Sequence, residues 1–384
     1  MQTRVSRRGD VDPFIVMEIL RLAAQAEAAG RHVIHMEIGQ PGTPAPEVAR
    51  AALGTAMGQG SLGYTESLGL PALRQRIAGL YRDWYGVDLD PDRILVTPGS
   101  SGGFLLAFTS LFDPGDRVGI ANPGYPAYRQ ILKAQGLEPA LITTDLADGY
   151  QPRPDQIEGA GLDGVLIASP ANPTGTMLDH DALKALIEAA ERSNTAFISD
   201  EIYHGLNYQG RCTSALEITD NAFVINSFSK YFSMTGWRVG WIVAPPNHID
   251  RVNKLAQHMF ICAPHASQIA ALAALDAADE LEANRATYSR NRDIVLKMLP
   301  KAGITRFAPP DGGFYVYADI SHLGDDSLTL ARALLDEEGV AVTPGHDFDP
   351  VRGGSTWRLS YAASTADVEE GMARIARFTE RRAR

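Results

Sequence analysis

The chain has 384 residues, enough for two domains, with 45% hydrophobic and 21% charged residues, a balance that excludes disordered, collagen-like and coiled-coil chains. Its net charge of −11, from 35 Lys and Arg against 46 Asp and Glu, leaves no general basic surface for a nucleic acid or an anionic membrane. Any phosphate held here needs a local, built site.

The first fourteen residues are polar and Arg-rich with no apolar core of a leader, and no run of eighteen apolar residues occurs, so a soluble cytoplasmic protein is expected. An opening helix is predicted over about 13–29, packed against either the C-terminal layer or a partner subunit. Short β-branched runs then alternate with helical stretches: strand 93–97, helix 104–112, strands 117–121 and 164–168, helix 181–192, and strands 196–199 and 222–226. Such alternation predicts a mainly parallel sheet covered by helices on both faces, an α/β three-layer sandwich. The last hundred residues predict a strand at 312–317, a helix at 328–338 and strands at 339–343 and 356–360, a smaller α+β layer. Two cysteines, Cys212 and Cys262, are too few and too far apart for a disulfide framework or a Cys-x-x-Cys metal site, and they suit a reducing compartment.

Ligands of open α/β sheets bind beyond the carboxyl ends of the strands. The unusual residues of this chain fall there: Gly99-Ser100-Ser101-Gly102, Ser169-Pro170-Ala171-Asn172-Pro173, Asp200-Glu201-Ile202-Tyr203 and Ser227-Phe228-Ser229-Lys230. An amine at a strand end among aromatic side chains is partly desolvated, which favours the neutral form that attacks an aldehyde. Taken alone Lys230 reads better as a surface lysine, and its neighbours reverse that. Ser227, Ser229 and Arg238 beside it supply donors for a doubly charged phosphate, and Ser100, Ser101 and Gly102 open a helix whose N-terminus suits an anion. Asp200 ends a strand and needs a cation, which the protonated ring nitrogen of pyridoxal phosphate supplies; a helix N-cap is the other reading. Tyr203 can hydrogen-bond the ring's phenolic oxygen, and Asn172, on a rigid Pro-rich loop, can donate to that oxygen or to a carboxylate.

The stretch 227–240 resembles the pyridoxal-phosphate attachment signature of class I/II aminotransferases of fold type I, the group that contains aspartate aminotransferase. Tyr64 with Gly69-Leu70-Pro71-Ala72-Leu73-Arg74, the Asn172-Pro173-Thr174-Gly175 loop, Asp200 with Tyr203, and Trp357-Arg358-Leu359-Ser360-Tyr361 match the family in order and spacing. The resemblance runs from about Gly39 to Arg358. It implies a large cofactor domain at 43–284 and a small domain formed by 1–42 with 285–384. It implies that Lys230 forms the Schiff base and shuttles protons, that Asp200 pairs the ring nitrogen, and that Asn172 and Tyr203 meet the phenolic oxygen. Ser100, Ser101, Gly102, Ser227 or Ser229, and Arg238 would bind phosphate. Tyr125 would stack on one ring face, with Ile202 on the other. Arg358, with Asn172 and the backbone near Gly39, would take the substrate α-carboxylate, and Tyr64 would reach the phosphate of a partner subunit in a homodimer.

The implied reaction moves an amino group from an L-amino acid to a 2-oxo acid in a ping-pong cycle. Two alternatives are a β-eliminating lyase of the cystathionine β-lyase kind on the same scaffold, and a non-catalytic sensor, which would be expected to lose Lys230. Family members acting on acidic substrates often add a cation about thirty residues past the lysine, yet 255–284 holds no Arg or Lys. A lysine in the phosphate turn would fall near Ser101, and His258 and His265 are the remaining candidates. Neutral or aromatic donors are therefore expected, with aspartate open.

Overall fold

Strands rich in β-branched residues with no polar alternation bury both faces, and that is what happens in the computed structural model, which describes residues 3–60 and 62–382. In chain order the strands are β1 (Ile34–His35), β2 (Ile94–Thr97), β3 (Arg117–Asn122), β4 (Glu138–Thr143), β5 (Gly164–Ala168) and β6 (Ala196–Asp200). They continue as β7 (Phe223–Ser227), β8 (Gly240–Val243), β9 (Tyr315–Asp319), β10 (Val340–Ala341), β11 (Thr343–Pro344) and β12 (Thr356–Ser360). Seven form the central sheet in the order β2-β8-β7-β6-β5-β3-β4. The five strands from β3 to β7 run parallel, while β8 is antiparallel to both β7 and β2.

Alternate residues of each strand enter different cores. Val165, Ile167, Phe197 and Val224 pack into one apolar cluster, and Leu166, Ile198, Phe223 and Ile225 into the cluster on the other face. Ile198 has no exposed surface, so Ile198→Ala should cost about 2–5 kcal/mol through lost transfer energy and a cavity. The register aligns Ala168 with Asp200 and Asp200 with Ile225, so the loops after β5, β6 and β7 leave the sheet along one edge. That shared edge positions the site.

Several predicted elements shift for identifiable reasons. The helix expected at 104–112 spans Gly99–Leu111, because the Gly-Ser-Ser-Gly run is its first turn and not a preceding loop. The strand expected at 312–317 is β9, which starts only after Gly313, a glycine at φ +68°. The run 339–343 is not one strand: Gly339 caps the helix Ser327–Glu338 in a left-handed conformation, β10 pairs with β1, and β11 joins the sheet β11-β12-β9. Strand β4 gives little sequence signal, since it begins Glu-Pro and lies at the sheet edge.

The opening helix spans Ile15–Ala28 and packs on β10, β11 and the helix Ser327–Glu338, so its partner is the C-terminal layer of the same chain. Asp347 fixes its start by accepting from the backbone N–H of Ile15 at 2.7 Å and of Val16 at 2.8 Å. Among the described residues no helix is long and apolar enough to cross a membrane.

Candidate active site

A cavity of about 260 Å³ opens where β5, β6 and β7 end, closed on the other side by β9, β12 and the opening helix. Lys230, in the turn after β7, lines it and donates from Nζ to the carbonyl of Gly39. Its ammonium lies 5.7 Å from the Tyr203 ring centroid and 5.9 Å from that of Phe314. Burial, then the charges of Arg358 and Arg238, lower the amine to about 7, with Asp200 opposing. Near neutral pH a large share of Lys230 is the free base.

Asp200 at the end of β6 is 3% exposed. Oδ2 accepts from the Tyr128 hydroxyl and Oδ1 from the Ile202 N–H at 3.1 Å. Burial raises this carboxyl to about 6 against the pull of those hydrogen bonds. The segment after β6 is a series of turns, so Asp200 does not cap a helix; Oδ1 closes a local turn instead. Among the described residues no cation forms an ion pair with it. Such a carboxylate at the edge of a cavity is a place for a cationic ligand group.

Arg358 on β12 is 5% exposed and tightly held. Nη1 donates to Asn172 Oδ1 at 3.0 Å, and Nη2 donates to the Glu37 carbonyl and to Thr343 Oγ1. The rings of Tyr315 and Phe348 lie with centroids 4.4 and 4.7 Å from the guanidinium carbon. Its Nε has no protein partner. Because Asn172 Oδ1 is engaged, its NH2 is the group able to donate into the cavity. Tyr203 meets the Tyr315 hydroxyl at 3.0 Å, and Ile202 and Tyr125 also line the space. A side chain on Gly39 would put its Cβ 2.2 Å from the Tyr315 hydroxyl, so this approach of backbone to site requires glycine.

The opposite end is an anion cradle. Ser100, Ser101 and Gly102 form the first turn of the helix Gly99–Leu111, and the two serines line the cavity. Arg238, at φ +51° and exposed, donates from Nη1 to the Thr235 carbonyl at 2.9 Å. A Cβ on Gly99 would come within 2.3 Å of its Nη2, so the bare backbone lets the guanidinium lie against the helix start. Ser229 lines the cavity, whereas Ser227 is buried beside it and its Oγ accepts from the Ser229 N–H at 3.0 Å. Tyr64 is 81% exposed and outside the cavity of the single chain. His258 and His265 are also outside it; His265 Nδ1 meets the Gly63 carbonyl at 2.9 Å.

Sequence reasoning missed Phe14, Val16, Met17, Ile38 and Phe348, which build an apolar wall, and also Tyr128, Tyr315 and Asp347. Tyr128 carries a signal, because it stands three residues beyond Tyr125, in the first turn of the helix Pro126–Gln135. The opening helix carries none, since nothing local says which surface it will cover.

The family Aminotransferase class I and II matches residues 31–375. A "Valine--pyruvate aminotransferase" of Mycobacterium tuberculosis is 45% identical over 98% of this chain and 98% of its own length. The chain belongs to the class I and II aminotransferases. An "Aspartate aminotransferase" of Thermotoga maritima is 33% identical over 98% of this chain and 100% of its own. A solved structure from Silicibacter pomeroyi, 60% identical, superposes with a TM-score of 0.94 over 99% of this chain and 100% of that one. This aminotransferase has the fold type I architecture of its family, with pyridoxal phosphate as cofactor, and its relatives do not favour the lyase or sensor alternatives. The site suits that cofactor: a buried carboxylate lacking a cation, a lysine near its neutral form, and an anion cradle at a helix start.

Proposed function

We propose that this aminotransferase takes its amino group from an L-amino acid with a neutral side chain, aliphatic or aromatic, and passes it to a 2-oxo acid. The observation that carries this reading is the wall around Arg358. Phe14, Val16, Met17, Ile38 and Phe348 are apolar, and the one charge among them, Asp347, is negative and already holds two backbone N–H groups. Among the described residues no further cation lines that wall, so a second carboxylate on the donor would be desolvated at a cost. The valine specificity in the name of the Mycobacterium tuberculosis relative agrees with this, and the aspartate specificity in that of the Thermotoga maritima relative does not.

Position supports the following roles. Arg358, whose Nε is unpartnered, would bind the donor's α-carboxylate together with the Asn172 amide and so fix the Cα near Lys230. Lys230 Nζ, lowered to about 7 by burial, would remove the Cα proton and carry it for the reprotonation that completes the transfer. When bound, the cofactor supplies the ring that spreads the charge left at Cα. Asp200 would hold the ring nitrogen, Tyr203 and the Asn172 amide the ring oxygen, and Tyr125 and Ile202 the two ring faces. Arg238, Ser100, Ser101, Gly102 and Ser229 would hold the phosphate, with Ser227 orienting Ser229 through its backbone. The apolar wall would keep water from the reacting carbon.

The active unit in this reading is a homodimer in the cytoplasm. Tyr64, Met57, Met259 and Ile261 are exposed: Met57 lies in the helix Glu47–Gln59, which packs on the helix His265–Ala274, and Met259 ends the helix Ile249–Met259. A second copy laid over them would bring Tyr64 to its partner's phosphate end. Both cysteines are free, as a reducing compartment would keep them. The domain division at 43–284, with 1–42 and 285–384 as the small domain, keeps the central sheet in one unit and β1 with β9 to β12 in the other.

The deciding experiment is a donor panel with pyruvate or 2-oxoglutarate as acceptor. Neutral donors should exceed aspartate and glutamate in kcat/KM by about 100-fold, the worth of burying an unpaired charge. Equal or better use of aspartate would overturn the donor class.

A further inference from the structure

Tyr128 is 5% exposed, with its ring edge-on to Phe104 and Tyr125 at centroid distances of 5.1 and 5.2 Å. Those contacts aim its hydroxyl at Asp200, which it meets as a donor on Oδ2. Oδ1 is held by the Ile202 N–H, and water has almost no access to either oxygen. We infer that Tyr128 is a positioning residue, whose hydroxyl holds Asp200 in the orientation and charge state that the cofactor's ring nitrogen requires. The inference rests on the reading of Asp200 as the partner of that nitrogen.

The physical case is one of hydrogen-bond accounting. A carboxylate sealed from water keeps its charge only if donors replace the solvent, and here two donors do so. Burial works the other way and raises Asp200 toward the protonated form, while Tyr128 and Ile202 lower it and the charge of Lys230 lowers it further. Tyr125 and Tyr203 face the same space, and burial holds both as neutral phenols. Removing the Tyr128 hydroxyl leaves Oδ2 buried without a donor, and a proton becomes the simplest replacement. A protonated Asp200 no longer attracts a cationic ring nitrogen.

Tyr128→Phe tests this, because it deletes the hydroxyl and keeps the ring that packs on Phe104 and Tyr125. The holoenzyme should lose pyridoxal phosphate on dialysis with a dissociation constant raised about tenfold, the usual worth of a hydrogen bond to a charged group. The pH midpoint of the cofactor's visible band should also shift, which lost packing alone does not produce. In an Asp200→Asn background the same substitution should change retention less than twofold. Retention within twofold of wild type in the single variant overturns the inference, as does an undiminished effect in the Asp200→Asn background. Unchanged retention in Asp200→Asn alone would withdraw the role of Asp200 itself, and this inference with it.

Discussion

The two ends of the cavity each present an arginine, and they are built in opposite ways. Arg358 is buried, donates to three acceptors and lies between two aromatic rings. Arg238 is exposed, donates to one carbonyl and sits on a left-handed backbone that costs about 1–2 kcal/mol. The carboxylate end is therefore preorganised within one chain, so little ordering cost remains when a donor arrives. The end proposed to hold the phosphate is assembled more loosely, with Arg238 and Ser101 exposed.

The largest effect should come from the residue between the ends. Lys230→Ala should lower turnover by at least about 10⁴-fold, since in the proposed reading it would remove both the covalent anchor and the proton carrier, and it should abolish the visible cofactor band while the fold stays intact. A variant that kept the band would sink the assignment. The same lysine gives a pH test. With its pKa lowered to about 7, Lys230 in cofactor-free protein should react with an amine-labelling reagent half-maximally near pH 7, becoming more reactive as pH rises and the proton leaves. Labelling that rises only near pH 10 would show an ordinary exposed amine.

A pair of substitutions separates the ends directly. Arg358→Lys keeps the charge but loses the fork, so kcat/KM for the donor should fall about 100-fold with cofactor retention within twofold. Arg238→Lys should do the reverse, weakening cofactor retention about tenfold and leaving the donor KM unchanged at saturating cofactor. If either variant moved both quantities alike, the two ends would not be independent and the contrast between them would fail.

How much of this was legible beforehand tracks how local the cause is. Lys230, Asp200, Asn172 and Arg358 sit beside strand ends or within a recognisable motif, and the alternating runs that place them are readable because parallel strands are apolar on both faces. The neighbours that tune them are not local. Tyr315 reaches Tyr203 from 112 positions away, and Asp347 caps a helix that starts 332 positions earlier. The neighbouring carboxylates Asp200 and Glu201 show the limit well. They are adjacent in sequence, but a strand sends successive side chains to opposite faces, so Asp200 meets the cavity while Glu201 is sealed behind the sheet with Ser199, Ser214 and the Ala215 N–H. Burial raises Glu201 to about 8, and the hydrogen-bond partners that hold it there come from a loop that the sequence does not place.

The smallest effect is the one that tests whether the looser end is completed by another chain. Tyr64 is 81% exposed, so within one chain Tyr64→Phe should change stability by less than about 0.5 kcal/mol. In a homodimer the same hydroxyl would reach the partner's phosphate, and its loss should weaken cofactor retention by about fivefold, with the donor KM untouched because Arg358 lies at the other end. Sedimentation decides whether that route exists. A dimer whose retention falls in the Tyr64→Phe protein supports the shared site. An active monomer with undiminished cofactor affinity would mean that Arg238, Ser100, Ser101 and Ser229 suffice, and the contrast between a finished end and an unfinished one would then be a difference in exposure alone.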